Sequence, residues 1–106
     1  MGKYNPKKYA VDLAKHPQLV TSEIPGPKSK EYHARCTKYF KGLSEQVKLF
    51  PVAFESGSGC ILTDVDGNRY IDFSSGIYVT TLGHCHPKVS EAVQNVFRGH
   101  SLIILV

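Results

Sequence analysis

"DVDGNRYIDFSSGIYVTTLGHCHPKV", residues 64–89, carries the turn on which the fold depends. Asp66, Gly67 and Asn68 tolerate positive φ and stand between two β-prone runs, CILTDV and RYIDF, so the second run folds back antiparallel on the first. In that pairing Ile61 and Thr63 share one face while Leu62 and Asp64 share the other. Tyr70 and Asp72 alternate with Ile71 and Phe73, which leaves an apolar side to press on a helix. The run VAFESGSG lies just upstream and adds a third strand. The expectation is a small antiparallel meander, one layer of a two-layer α+β unit. GIYVTTLG continues the extended pattern and is closed by Gly83.

Helical periodicity flanks the meander. Tyr32, Cys36, Tyr39 and Phe40 recur at i, i+4, i+7 and i+8, with Ser29 as N-cap and Gly42 where a left-handed terminal residue belongs. Core packing is the ordinary role for that stripe, and His33 falls beside it on the solvated face. A second helix starts at Pro87, runs to residue 98, buries Val89, Ala92, Val93 and Val96, and ends at Gly99. Near the N-terminus KKYAVDLAKH predicts a short helix stopped by His16-Pro17, and IPGPKS a stiff turn around Gly26. The terminal HSLIILV is apolar, with no cap and no polar partner, and reads as an interruption. Three segments follow: an extended or helical 1–28, a domain over 29–98, and a divergent apolar tail over 99–106.

Composition narrows the function classes. The net charge is +4, but the thirteen Lys and Arg are scattered. No basic stripe interleaved with aromatics supports nucleic-acid binding. Three cysteines at irregular spacing, without CxxC, argue against a disulfide framework and for a reducing compartment. The N-terminus shows no signal-peptide pattern, and no apolar run reaches membrane-spanning length. The expectation is a cytoplasmic chain.

Gly83-His84-Cys85-His86-Pro87 is the stretch densest in reactive side chains. His84 and His86 are two apart, so an extended backbone could turn both rings to one side as a pair of zinc ligands. A zinc site needs three or four protein ligands, and His33, Cys36 and Cys60 have no ligand spacing relative to them. A nucleophilic Cys85 would need a base and an orienting group supplied by the fold. A structural reading is also open: Gly83 permits a sharp turn, and His86 caps the helix that opens at Pro87. No GxGxxG or GxxxxGK[ST] is present to cradle a phosphate.

The order of residues adds a resemblance. D-x-x-G-N-x-Y-[IL]-D-F over Asp64 to Phe73, a small-residue turn over Ser74 to Ile77, and G-H-x-H-P over Gly83 to Pro87 resemble the front of the class III aminotransferases. SEIPGPKSKE resembles their P-G-P-[KR]-S segment, and the likeness extends over about residues 19–96. It implies the N-terminal part of the small domain of a fold-type-I pyridoxal-phosphate enzyme, truncated before the large domain. The implied activity is transfer of an amino group from a 4-aminobutyrate-like ω-amino acid to a 2-oxo acid, in a homodimer. Ile77 and Tyr78 would bind substrate. The residue matching Ile77 is apolar in 4-aminobutyrate-type members and tyrosine in ornithine-type members. Racemases and aminomutases share the same opening pattern. The lysine, aspartate and phosphate turn that hold pyridoxal 5'-phosphate in the family have no counterpart here, so no catalytic or cofactor-binding residue is assigned and the fragment alone is expected to be inactive. The alternative is a non-catalytic binding module with a metal at His84 and His86.

Overall fold

A computed structural model of the chain describes residues 11–39 and 50–99. Its centre is the expected meander: β1 (Phe54–Ser58), β2 (Ile61–Asp64) and β3 (Arg69–Ile71) form an antiparallel sheet in the order β1-β2-β3. Ile61 faces Ile71, Leu62 faces Tyr70 and Thr63 faces Arg69. The β1–β2 register shifts between Phe54 and Ser56, the mark of an extra residue in the outer strand. Gln18 extends the sheet beside β3 through reciprocal backbone hydrogen bonds with Arg69 at 3.1 and 2.7 Å. The Asp66-Gly67-Asn68 turn forms as expected, with Gly67 at φ +91°.

Helix α1 (Pro27–Tyr39) precedes the sheet and helix α2 (Pro87–Gly99) follows it. The chain is α+β, as expected. Several details differ from the sequence expectation. Helix α1 starts two residues before Ser29, because Pro27 supplies the first helical φ and the Gly26 carbonyl accepts the first helical bond, from Lys30 N–H at 3.0 Å. Of KKYAVDLAKH, residues 7–10 lie outside the described residues, and Leu13–Lys15 forms a 3₁₀ turn capped by Asp12. Gly42, Phe40 and the apolar tail lie outside the described residues.

The apolar burial expected of a two-layer unit is not found among the described residues. Phe73 is 90% exposed and presses on no helix. Val89, Val93 and Val96 stand at 47%, 49% and 39%, and Ala92 is also exposed. Helical spacing gives α2 an apolar face, but no described part of the chain covers it. Tyr32 and Tyr39 are exposed as well. Among the described residues Ile61 is the one buried apolar side chain, whereas Ser29, Asp64 and Asn68 are fully buried. Polar contacts, more than an apolar core, hold this piece of structure together.

Candidate functional site

Those contacts begin in the hairpin. Asn68 Oδ1 accepts the Val20 and Thr21 amides at 2.7 and 2.9 Å, while its Nδ2 donates to Asp64 Oδ2 at 2.9 Å. Asp64 also accepts the Asp66 and Asn68 amides and the Tyr70 hydroxyl, the last at 2.8 Å. Burial pushes the Asp64 carboxyl upward, but the bonds from Asn68, Tyr70 and Asp66 outweigh it and hold the group below the usual carboxylate value. Tyr70 is pushed up to about 12 by burial and by its bond to the Asp64 carboxylate. The Asp64–Tyr70 motif thus tightens its own turn and ties the N-terminal segment to it.

Asp66 reaches across to α1. Its carboxylate accepts the Lys28 and Ser29 amides at 2.8 and 2.9 Å, the bonds an N-cap side chain would make, supplied here from a distant turn. This displaces Ser29 from the expected capping role; its hydroxyl instead accepts the Ala53 amide at 3.3 Å. The carboxylate lies so close over Gly26 that a Cβ there would stand 2.5 Å from Asp66 Cγ. Gly26 is therefore needed for want of space.

The segment after β3 departs most from expectation. In place of an extended run, Ser75–Tyr78 makes one helical turn with positive φ at every residue: 49° at Ser75, 57° at Gly76, 61° at Ile77 and 65° at Tyr78. Left-handed backbone costs a residue with a Cβ roughly 1–2 kcal/mol, and a β-branched side chain such as Ile77 is an outlier there. The surrounding bonds over-determine the turn. Asp72 Oδ1 accepts the Ser74 and Ser75 amides, both at 2.9 Å, and the Ser74 hydroxyl. The Ser74 and Ser75 carbonyls accept the amides of residues 77–80. Asp72 Oδ2 meets His84 Nε2 at 2.7 Å. The bond from His84, then that from Ser74, holds the Asp72 carboxyl at about 2. An ionised carboxylate only accepts, so His84 carries a proton on Nε2.

His84 also pairs by its backbone with Gly59, donating at 2.8 Å and accepting at 3.0 Å. Gly83, at φ +87°, packs so closely on Gly59 that a Cβ would lie 3.0 Å from its Cα. The His86 carbonyl accepts the Ser90 amide at 2.9 Å, which places His86 at the N-cap of α2. The structural reading of the two histidines accounts for both. Among the described residues no three His, Cys, Asp or Glu side chains are grouped to hold a metal ion.

Beside this turn lies a cleft of 520 Å³ lined by residues 79–86 with Val89, Ser90, Val93 and Gln94. Smaller clefts lie along α1 near Cys36, beneath β1 near Arg69, and against Phe54 and Tyr70. Ile77 and Tyr78 project from the left-handed turn at 70% and 84% exposure, next to the cleft lining but outside it.

Residues 43–105 match the aminotransferase class-III family. An alanine/serine racemase of Pyrococcus horikoshii is 39% identical over 103 residues, which cover 94% of this chain and 21% of that protein. A glutamate-1-semialdehyde 2,1-aminomutase of Legionella pneumophila is 52% identical over 63 residues, 58% of this chain and 14% of that protein. A diaminobutyrate–2-oxoglutarate aminotransferase of Rhizobium meliloti is 55% identical over 49 residues, 46% of this chain and 10% of that protein. The chain belongs to the class III aminotransferases, a family of enzymes that generally use pyridoxal phosphate. It spans between 10% and 21% of the length of these relatives.

Pyridoxal phosphate is held covalently by a lysine amine. None of the four clefts is lined by a lysine. Lys15 and Lys30 instead make exposed ion pairs with Asp12 and Glu23. The described residues do not fit the cofactor's anchor, and no chemical step is assigned to them.

Proposed function

We propose that the whole protein transfers an amino group from an ω-amino acid of the 4-aminobutyrate type to a 2-oxo acid, as a cytoplasmic homodimer that uses pyridoxal phosphate. In this reading residues 29–98 belong to the small domain, and Ile77 and Tyr78 form part of the wall against which the substrate lies. The observation that carries the reading is the left-handed turn at Ser75–Tyr78, which holds two large side chains out from the body of the chain at a cost in backbone energy. Strain of that kind gathers at binding and catalytic sites. The apolar side chain of Ile77 suits the methylene stem of a 4-aminobutyrate-like donor and offers no hydrogen bond to a second amine.

Racemisation is the second reading, favoured by the match to an alanine/serine racemase along 94% of this chain. The two differ in their need for an acceptor. The whole protein, loaded with pyridoxal phosphate, is given 4-aminobutyrate with and without 2-oxoglutarate, and separately L-alanine alone. Glutamate formed only when both 4-aminobutyrate and 2-oxoglutarate are present supports transamination. D-alanine formed without an acceptor, and no glutamate, rejects it. Under transamination, Ile77→Tyr raises KM for 4-aminobutyrate about tenfold, the scale of one misfitted apolar contact.

A further inference from the structure

We propose that Asp72 and His84 are positioning residues: their contact closes the base of loop 73–83 and holds residues 75–78 in the left-handed arrangement that presents Ile77 and Tyr78. The inference rests on the reading that those two side chains meet substrate, and it assigns the device that aims them.

The two ends of the loop are bolted to adjacent residues of one hairpin. Asp72 N–H donates to the Cys60 carbonyl at 2.8 Å, and His84 exchanges both backbone bonds with Gly59. Backbone pairing alone would bring the ends together but leave the interior of the loop free. The Asp72 carboxylate supplies the rest. One oxygen gathers the Ser74 and Ser75 amides and so fixes how the chain leaves β3. The other oxygen is held by His84 at 2.7 Å, which stops the carboxylate from rotating away. The contact is shielded, with the Asp72 side chain 5% exposed and that of His84 23%. Gly57 leaves room for the ring, since a Cβ there would lie 3.0 Å from both Cβ and Cγ of His84. The carboxyl is held at about 2, so it stays ionised and accepting across the physiological range. The loop thus has a clasp that couples the two ends of the segment to the backbone conformation between them.

The test is NMR on the full 106-residue chain without substrate or cofactor, so that failure of the clasp and failure of the aminotransferase reading fall on different measurements. Positive φ gives strong intraresidue HN–Hα cross-peaks, expected at Ser75, Ile77 and Tyr78, and the His84 imidazole is expected to show the ¹⁵N pattern of an Nε2–H ring. His84→Ala should lose the strong cross-peaks at all three positions while the cross-strand contacts between Ile61 and Ile71 persist. His84→Gln, which keeps a side-chain N–H donor, should restore them. The proposal is overturned by a wild-type chain lacking the positive-φ cross-peaks or the Nε2–H pattern. It is equally overturned by a His84→Ala chain that keeps the turn or loses the sheet along with it, or by a His84→Gln chain that fails to restore the turn.

Discussion

Asn68 joins three parts of the chain with one side chain, and replacing it with alanine breaks all the joints at once. The Val20 and Thr21 amides lose their acceptor and buried Asp64 loses a donor. Unsatisfied groups at such depth cost several tenths to a few kcal/mol each, so Asn68→Ala should lower stability by about 3 kcal/mol in urea denaturation. A loss near zero would mean that water replaces the amide freely. Gly26→Ala forces a methyl into the Asp66 carboxylate, which the Lys28 and Ser29 amides pin in place. The expected cost is about 2 kcal/mol in the same assay, in the range of other overpacked sites. Neither role was legible in the sequence beyond the local turn. Asp-Gly-Asn announces a hairpin because turn chemistry acts over neighbours. The Val20, Thr21, Lys28 and Ser29 amides that these side chains accept lie 37–48 residues away, where only the fold brings them together.

Elements differ in how far a pattern can specify them. The meander was legible because alternation and a two-strand turn are local properties. The left-handed backbone was not: GIYVTTLG reads as extended and the resemblance implies only a small-residue turn over Ser74 to Ile77. The competing influence is the Asp72 carboxylate gathering two amides just ahead of it. Since the Asp72 carboxyl is lowered to about 2, the stability it contributes is complete above its unfolded value near 3.8. That contribution is lost as pH falls through about 2. His84 is the side chain that meets its other oxygen, through Nε2 at 2.7 Å. The positive-φ cross-peaks of Ser75–Tyr78 should therefore persist from pH 7 to 4 and fade between 4 and 2; fading already at pH 6 would assign control to another group. Helix α2 shows the opposite limit of sequence reading. Its period gives the helix and its apolar face correctly, but a period carries no information about what covers that face. With Val93 at 49% exposure, Val93→Asp should change the stability of this chain by less than about 0.5 kcal/mol. A loss of several kcal/mol on urea denaturation would show the face to be covered.

At the scale of the molecule, a polar framework presents a strained turn, while large apolar side chains such as Phe73, Leu82 and Phe97 remain exposed. Membership of the class III aminotransferases was legible as a resemblance in residue order, carried by motifs that contain Asp64, Asn68, Asp72, Gly83 and His84. Which amine the protein uses was not legible, since that depends on the whole pocket and the chain spans at most 21% of the relatives reported above. No helix among the described residues is long and apolar enough to cross a membrane. We propose that this chain contributes a wall and a framework, and that the covalent chemistry of the family lies outside its described residues. The most direct test is to purify the 106-residue chain, add pyridoxal phosphate, 4-aminobutyrate and 2-oxoglutarate, and measure glutamate. The account predicts none above a control without protein; saturable glutamate production that follows the chain through purification and vanishes when one particular lysine is replaced would contradict it.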